Sequence, residues 1–270
     1  MNQKTSILLY TYFYKEGPLV ANNPIYKPVL VGKKLQETYS MMIGDDTGDN
    51  ISDKNKYYSE LTGIYWAWKN TAQDITGSCH YRRFFTAMPV PFFYKLRYSY
   101  YWLAGLYKKR YGLIYTANTA FFASRIIDKN QVLDIFNTYD AILPQSRKLK
   151  YSVETHYKRY HNANDLKILA SILDQYYPDY KDAFNSVLKQ KRMYANNMFI
   201  LPQNLYESFI EWWFDVLFKF ESHIEFDNYT GYQQRVLGFI AERLLNVWFR
   251  HANLKIKELP IIYFKKLKYD

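Results

Sequence analysis

Apolar, β-branched and aromatic residues occur in short runs separated by turn-forming segments through the first half of the chain. Runs of this length and composition, bounded by Gly, Pro, Asn and Asp, are typical of buried strands. Apolar residues between 58 and 70 recur instead at helical spacing and predict a helix, as do those between 131 and 139. The strands predicted in this half are 6–13, 28–32, 75–80, 113–116, 119–122 and 140–144.

From Val153 onward the apolar spacing becomes mainly helical. Strands that alternate with helices predict an α/β fold, here with a helix-rich C-terminal half. No Gly-, Ser- or Pro-rich linker divides the sequence, so residues 1–270 are predicted to form a single domain. The predicted helices of this half are 164–176, 179–190, 203–223 and 230–250, and the predicted strands are 193–201 and 259–264.

The segment 88–115 mixes aromatic, apolar and basic residues to an unusual degree. Helices that lie in a membrane interface have this composition, and their cationic face attracts anionic lipid. A helical hairpin packed on the domain, with a lysine-rich exterior, explains the same pattern equally well. Both interpretations stay open, and 88–115 is treated as an insert that contacts either a membrane or the acceptor.

The charge balance adds a preference for anionic partners. The formal net charge is +11 and the pI is near 9.3, which favours nucleic acid, anionic membrane or phosphorylated substrates. No nucleic-acid-binding module occurs, so nucleic acid is not an expected partner. A single cysteine, no signal-peptide pattern and no apolar run of ~18 residues predict a cytoplasmic protein, peripheral on the inner face of the plasma membrane if it binds membrane at all.

The predicted strand 75–80 ends in a cluster of polar side chains, His80, Tyr81, Arg82 and Arg83. Open α/β sheets bind ligands just beyond the carboxyl ends of their strands, and two guanidinium groups can hold a diphosphate. The alternative is a pair of solvated charges that close the strand. Neither GxGxxG, GxxxxGK[ST] nor GxSxG occurs, which argues against dinucleotide, P-loop and serine-hydrolase sites.

Metal binding has little support in the sequence. Asp45 and Asp46 lie in a turn-rich acidic loop, lack the alternation of a calcium-binding loop, and are predicted to be solvated. The five histidines show no zinc-ligand spacing. Cys79 falls inside an apolar strand and is predicted to belong to the core rather than to act as a nucleophile.

Several other charged residues lie beside apolar elements. Glu60 and Asp140 are of this kind, and a carboxylate there needs a partner or a function, such as pairing with Arg82 or Arg83 or acting as a general base. Arg235 and Glu242 fall on one face of a predicted helix. A structural ion pair and a role in a site account for them equally well.

Six sequence blocks stand out in order along nearly the whole chain. They are GDDTGDNISDKN (44–55), YSELTGIYWAWKN (58–70), GSCHYRRFF (77–85), YDAILP (139–144), NNMFILP (196–202) and GYQQRVLGFIAERLLNVW (231–248). Together they resemble the domain-of-unknown-function 4422 family, bacterial glycosyltransferases of capsule, exopolysaccharide and O-antigen gene clusters. The resemblance implies a GT-A-like nucleotide-diphospho-sugar transferase fold, a nucleotide-sugar donor, and a glycan acceptor carried on polyprenyl diphosphate at the inner membrane face. Some members look like galactofuranosyltransferases.

The sequence departs from the more familiar pattern of sugar-nucleotide transferases, which carry an Asp-x-Asp metal motif after the central strand. Residues 80–83 stand at the corresponding place and supply cationic side chains instead. Such side chains would stabilise the departing UDP as a divalent metal does elsewhere. The resemblance therefore implies no cofactor, with a divalent metal as the less favoured alternative.

Under this resemblance the expected reaction moves a sugar, galactofuranose by preference, from a UDP-sugar to a lipid-linked glycan acceptor. The alternatives are a UDP-hexopyranose transferase and a non-catalytic, membrane-peripheral glycan-binding protein. The donor-binding residues implied are Tyr10, Thr11, Asn50, Glu60, Trp66, His80, Tyr81, Arg82 and Arg83. The acceptor-binding residues are His156, Tyr157, Asn197, Gln234 and Arg235, the catalytic carboxylates are Asp49, Asp140 and Glu242, and no metal ligand is assigned.

Overall fold

The structure, a computed structural model, describes residues 5–37, 40–103, 113–265 and 267. Its strands are β1 (Ile7–Phe13), β2 (Tyr26–Leu30), β3 (Ile75–His80), β4 (Arg83–Phe85), β5 (Leu113–Thr116), β6 (Ala141–Pro144), β7 (Arg147–Lys148), β8 (Arg192–Met193), β9 (Phe199–Pro202), β10 (Ile256–Leu259) and β11 (Ile261–Phe264). Its α-helices are α1 (Asn55–Tyr58), α2 (Leu61–Asn70), α3 (Phe92–Leu103), α4 (Thr119–Ala123), α5 (Lys129–Phe136), α6 (Val153–Tyr160), α7 (Asn164–Tyr176), α8 (Lys181–Lys189), α9 (Gln203–Glu221) and α10 (Val236–Ala252).

β3 lies at the centre of a nine-stranded mixed sheet. It pairs in parallel with β1 and antiparallel with β9, and its last residue, His80, pairs with Arg83 of β4. From these partners the sheet continues through β1 to β2, through β9 and β6 to β10, and through β4 and β11 to β5. β3 and β6 both run antiparallel to β9, so their carboxyl ends lie at the same edge as the start of β9.

Two apolar clusters cover the two faces of the sheet, and alternate residues of β1 divide between them. Leu9 packs with residues of α4 and α5, whereas Tyr10 packs with residues of α2 and of α6 to α10. In the larger cluster the Trp213 side chain is fully buried and its indole donates a hydrogen bond to the Ala241 carbonyl at 3.0 Å. The helix-rich C-terminal half therefore forms a layer on one face of the sheet.

The predicted α/β class is confirmed, but several element predictions are wrong in detail. Residues 119–122 form a helix rather than a strand, because the Asn118 side chain accepts a hydrogen bond from the Phe121 amide at 3.0 Å and caps α4. The helix predicted over 58–70 is broken at Ser59, whose φ is 55°. The strand predicted over 193–201 becomes β8 and β9, separated by Asn196 and Asn197 with φ of 75° and 49°.

The strand predicted over 259–264 is likewise divided by Pro260 into β10 and β11, and helix α6 falls outside the predicted helices. In the insert, α3 is followed by residues 104–112, which lie outside the described residues. The second helix of the predicted hairpin falls there, together with Lys108, Lys109 and Arg110. The structure thus describes the insert as α3 and the beginning of β5.

Candidate functional site

Polar residues from distant parts of the chain meet at the edge where β3 and β6 end and β9 begins. His80 ends β3, Arg147 follows β6, and Asn196 and Asn197 precede β9. The first turns of α10 lie beside them, because the Asn197 amide donates to the Gly238 carbonyl at 3.4 Å. Ligand sites of α/β sheets are typically found at such an edge.

Two adjoining cavities open at this edge, and we call them together the arginine cleft. The small lobe has a volume of about 130 Å³ and the large lobe about 670 Å³. Ser59, Glu60, His80, Arg235 and Gly238 complete the small lobe. The residues that line both lobes are Arg83, Asn196, Tyr232, Phe239 and Glu242.

Glu60 is fixed in the small lobe by two partners. Asn197 Nδ2 donates to its Oε1 at 3.0 Å, and Arg235 Nη2 lies 3.6 Å from its Oε2. Arg235 Nε in turn donates to Ser59 Oγ at 2.6 Å, and Ser78 Oγ donates to the Asn197 carbonyl at 2.8 Å. These bonds connect the end of β3 with α10 and hold a carboxylate and a guanidinium at fixed positions in the wall.

Glu242 lies at the junction of the two lobes. Its Oε1 accepts a hydrogen bond from the Asn196 amide at 2.7 Å, and its Oε2 lies 3.2 Å from Arg243 Nη1. Arg243 is only 2% exposed, donates to the Phe239 carbonyl at 2.9 Å, and stacks over the Tyr157 ring. A buried guanidinium requires a nearby carboxylate, so Glu242 has a structural partner as well as a face on the cleft.

The structure separates the two predicted arginines. Arg83 lines both lobes, whereas Arg82 lines neither. The Arg82 guanidinium lies 4.8 Å from the centroid of the Tyr81 ring and 5.4 Å from that of Tyr263, and it donates to the Lys265 carbonyl. Arg82 lies in the turn between β3 and β4, whereas Arg83 is the first residue of β4, and the two side chains therefore have different environments.

His80 is neutral at pH 7. Burial, followed by the charges of Arg83, Arg82 and Arg235, holds the pKa of His80 well below its usual range. Within the described part of the chain, His80 Nδ1 and Arg83 Nε are buried without a hydrogen-bond partner. Buried polar atoms normally have partners, so hydrogen-bonding capacity is left unused at these two atoms, as it also is at Arg82 Nε outside the cleft.

Arg147 places a second guanidinium group in the large lobe, in addition to that of Arg83. Its Nη2 donates to Asn196 Oδ1 at 3.1 Å. Burial lowers the pKa of Arg147 to about 10, an effect that Glu242 opposes and Arg83 increases. Among the described residues, neither Arg83 nor Arg147 forms an ion pair with a carboxylate. A bound anion would supply the charge that this pair lacks.

The large lobe combines cations with rings. Besides Arg83, Arg147 and Arg243 it contains Lys148 and Lys150. Burial lowers the pKa of one of its histidines, His161, to about 4, so that ring too is neutral at pH 7. Flat aromatic surfaces beside cations suit a ligand that joins a planar ring to an anionic group. The rings are Tyr151, His156, Tyr160, His161, Tyr232 and Phe239.

Backbone strain is concentrated at the same place. Ser59, Asn196 and Asn197 adopt positive φ, and the fourth described residue other than glycine that does so, Asn253, follows α10. Such conformations are unfavourable for L-residues and persist only where surrounding contacts enforce them. All three strained residues of the site donate or accept hydrogen bonds there.

Three predicted donor-binding residues and one predicted catalytic carboxylate, Asp49, lie outside the cleft, around α2 and the acidic loop. Tyr10 donates to Gln73 Oε1 at 3.2 Å, and Trp66 Nε1 donates to Thr47 Oγ1 at 2.9 Å. Asp49 accepts a hydrogen bond from the Tyr65 hydroxyl at 3.1 Å, and the Asn50 amide donates to the Gly48 carbonyl at 2.9 Å. The bonds from Trp66 and Tyr65 hold the acidic loop on α2. None of the four predicted residues lines the cleft with Arg83.

Five more predicted residues also line neither lobe. Asp140 precedes β6 at the opposite edge of the sheet and accepts a hydrogen bond from the Lys255 amide. Tyr81 packs on the rings of Phe13 and Tyr14, and Thr11 is buried in β1. Tyr157 lies beneath Arg243 and donates to Asp165 at 2.6 Å, and Gln234 lies in the 3-10 turn before α10. The predicted residues that do line the cleft are Glu60, His80, Arg83, His156, Arg235 and Glu242, with Asn197 bonded to its wall.

The prediction that Asp45 is solvated is wrong. Its side chain is fully buried and accepts hydrogen bonds from the amides of Gly32 and Lys33 at 2.9 and 3.1 Å. The hydroxyls of Ser52 and Thr62 donate to it at 2.5 Å each. Asp45 therefore ties together three segments of the chain, and its lone pairs are used within the protein.

Sequence reasoning missed Arg147, Tyr232 and Arg243 as cleft residues. Tyr232 and Arg243 fall within the block 231–248 but were not singled out there, and Arg147 is one basic residue among many. The sequence marks Asn196 only as the neighbour of Asn197. The signal that was present is the amide pair itself, since Asn tolerates the left-handed conformation better than most residues and marks an irregular strand entry.

The described residues contain no group of three or more His, Cys, Asp or Glu side chains arranged to hold a metal ion. None of the described helices has the length and apolar character of a membrane span.

A family model described as "Domain of unknown function (DUF4422)" matches residues 9–253. The chain belongs to the DUF4422 family. The resemblance inferred from the sequence blocks is thereby confirmed at the level of the family. The match contains every residue of the arginine cleft, from Ser59 to Arg243. No curated protein matches this DUF4422 chain.

One solved structure similar to this DUF4422 chain is described as "WbbM bifunctional glycosytransferase apo structure". It is 28% identical with a TM-score of 0.83, and the alignment covers 97% of this chain and 46% of that one. The chain thus spans about half the length of a protein named for two glycosyltransferase activities. This similarity confirms the predicted glycosyltransferase-type α/β fold.

Proposed function

We propose that the protein is a glycosyltransferase that uses a nucleotide-diphospho-sugar as donor. The observation that carries the proposal is the presence of Arg83 and Arg147 in one cleft, neither paired with a described carboxylate. Two guanidinium groups can bind the oxygens of a diphosphate through several charge-assisted hydrogen bonds. The likeness to a bifunctional glycosyltransferase supports this reaction class.

In the proposed reaction, an acceptor hydroxyl oxygen forms a bond to the anomeric carbon of the donor sugar. The bond between that carbon and the diphosphate oxygen breaks, and the nucleoside diphosphate leaves with the bonding electrons. Arg83 and Arg147 stabilise the negative charge that develops on the leaving group, which is the largest electrostatic demand of this step. His80, being neutral, contributes a hydrogen bond rather than a charge.

The two lobes suggest how the donor lies. The large lobe offers rings for a nucleobase beside the two arginines, and the small lobe offers Glu60, Arg235 and Asn196 to sugar hydroxyls. In an inverting reaction a carboxylate takes the proton of the acceptor hydroxyl. We assign that role to Glu242, because it faces both lobes, whereas Asp49 and Asp140 face neither.

The finer assignments rest on the family resemblance. We propose UDP as the nucleotide, galactofuranose as the transferred sugar, and a polyprenyl-diphosphate-linked glycan of a bacterial surface polysaccharide as the acceptor. A UDP-hexopyranose donor is the second candidate, since the polar wall of the small lobe suits either ring form. No cofactor is part of the proposal, because the arginines take the position of a metal ion.

The neighbouring arginines provide a matched test. We expect Arg83→Ala to lower turnover of the preferred UDP-sugar by about 10²- to 10³-fold, since it removes a cation aimed at the leaving group. Arg82→Ala removes the same side chain outside the cleft and should leave turnover near that of the wild type. The measurement is UDP release from a panel that includes UDP-galactofuranose and UDP-hexopyranoses, with and without EDTA.

Equal loss of activity in Arg82→Ala and Arg83→Ala, with both variants folded, would contradict the diphosphate assignment. Activity that disappears in EDTA and returns with manganese would move the leaving-group role to a metal ion. Saturable binding of UDP-sugar with no UDP release or transfer would favour the non-catalytic glycan-binding protein. The sugar that gives the highest turnover decides between furanose and pyranose.

A further inference from the structure

Helix α3 presents an apolar stripe to solvent. On the other side of the helix, the Tyr94 ring packs against Phe122 of α4 with centroids 6.1 Å apart. Five of the other apolar side chains described on this helix are largely exposed. At 3.6 residues per turn these side chains fall within an arc of about 100°, facing away from Tyr94. They are Phe92, Phe93, Leu96, Tyr100 and Leu103, exposed by 73, 68, 54, 66 and 78%.

Basic residues lie on both sides of this stripe. Lys95 lies about 60° beyond one edge of the arc and Arg97 about 40° beyond the other. Ser99, a polar residue at the margin, donates its hydroxyl to the Lys95 carbonyl at 3.2 Å and so remains bonded within the helix. The arrangement is that of an interfacial helix, with an apolar face between two cationic edges.

The sequence on both sides of α3 contains basic residues and no acidic ones. No Asp or Glu occurs between Asp74 and Asp128. A surface built from this stretch therefore has no acidic side chain of its own to repel an anionic partner. The basic residues within the stretch are Arg82, Arg83, Lys95, Arg97, Lys108, Lys109, Arg110 and Arg125.

We propose that the apolar stripe of α3 docks on an anionic lipid bilayer. Aromatic and leucine side chains enter the boundary between headgroups and acyl chains, and the flanking lysine and arginine contact anionic headgroups. Leu113, the first residue of β5 and part of the insert, lines the large lobe of the arginine cleft. The insert therefore contains both the docking helix and one residue of the cleft wall. This inference stands independently of the reaction proposed above.

Flotation of the purified chain with vesicles tests the proposal. Binding is expected to vesicles of phosphatidylcholine with phosphatidylglycerol, to be weaker with phosphatidylcholine alone, and to fall as salt rises. L96S/L103S removes apolar area from the stripe, and K95E/R97E reverses its flanking charges. Each pair should lower the partition coefficient about tenfold or more.

Matched controls exist elsewhere on the surface. L35S/M41S replaces two other exposed apolar side chains, and K189E/K191E makes the same change of charge away from α3. Both controls should bind vesicles as the wild type does. Near-UV circular dichroism verifies folding, and the single change L103S replaces L96S/L103S if that pair does not fold.

Three outcomes would overturn the proposal. The first is a wild-type chain that fails to float with phosphatidylglycerol vesicles. The second is an equal loss of binding in the α3 pairs and in their controls. The third is a wild-type chain that binds no vesicles but forms a dimer in light scattering, which L96S/L103S converts to a monomer. That result would identify the stripe as a contact between two copies of the chain.

Discussion

Asp45 and Glu242 are both acidic side chains held by several donors, but only Glu242 keeps a surface that faces a cavity. Asp45 is enclosed by two amides and two hydroxyls and has no exposed surface. Glu242 accepts one amide and pairs with Arg243, but it still faces both lobes of the cleft. The first arrangement serves stability, and the second leaves a carboxylate accessible to a substrate.

The role of Asp45 gives a stability prediction. Asp45→Ala leaves two amides and two hydroxyls without their acceptor in a buried place, so the free energy of unfolding should fall by about 3–5 kcal/mol. Asp53→Ala, at an exposed position of the same region, should change it by less than about 0.5 kcal/mol. Urea denaturation measures both. A loss below about 1 kcal/mol for Asp45→Ala would show that the loop relaxes around the missing side chain.

For single residues, the sequence predicted the chemistry of a side chain better than the environment in which the fold places it. His80 and Arg83 are recognisable because they belong to the polar cluster at the end of an apolar strand. Asp45 is misleading because its acidic, turn-rich neighbourhood resembles a solvated loop, and its four donors come from residues 32 to 62. Arg147 gives no signal, since it reaches the cleft through the pairing of β7 with β8 and of β6 with β9, which the local sequence does not show.

Helix α10 supplies one wall of the cleft through its first two turns. Gly238 and Glu242 lie one turn apart on the face that meets the small lobe, as their four-residue spacing predicts. A Cβ added at Gly238 would meet no atom within 4 Å, so the glycine leaves open space rather than avoiding a clash. A glycine within a helix lowers helix stability relative to alanine. The cavity in front of Gly238 accounts for its presence at this position.

Two substitutions at Gly238 should therefore separate stability from function. Gly238→Ala is expected to raise the free energy of unfolding by about 0.5–1 kcal/mol through helix propensity alone. Gly238→Leu should fill the small lobe and lower kcat/KM for the donor by about 10²-fold, by displacing the bound sugar. Thermal unfolding and UDP release measure the two effects. Full activity in a folded Gly238→Leu variant would show that the small lobe is not used by the donor.

Element prediction succeeded where periodicity alone decides the structure, as in α7, predicted and observed at 164–176. It failed at Ser59 and at Asn196 and Asn197, where the chain takes positive φ. Those conformations are enforced by partners from other elements, such as Arg235 for Ser59 and Glu242 for Asn196. A local pattern carries no information about such partners, so the breaks that shape the cleft were not predicted.

At the scale of the whole molecule, the last two strands, β10 and β11, complete the sheet by pairing with strands from much earlier in the chain. β10 pairs with β6, and β11 lies between β4 and β5, so strands that are far apart in the sequence meet in the sheet. Arg83, at the start of β4, pairs with Tyr263 of β11. The support of the proposed leaving-group site therefore comes partly from residues beyond 253, where the match to the DUF4422 family model ends.

Truncation tests this dependence. A chain of residues 1–253 lacks β10 and β11, which leaves β4 and β5 without their shared partner and exposes the apolar surface that Ile261, Ile262 and Phe264 cover. We expect it to lose cooperative thermal unfolding and near-UV circular dichroism. A chain of residues 1–265 keeps both strands and the bond from the Lys265 amide to the Thr116 carbonyl, and it should melt within a few degrees of the full chain. Cooperative unfolding of 1–253 at a similar temperature would show that β1, β3, β9 and β6 suffice for the fold, and that β11 serves only to position Arg83.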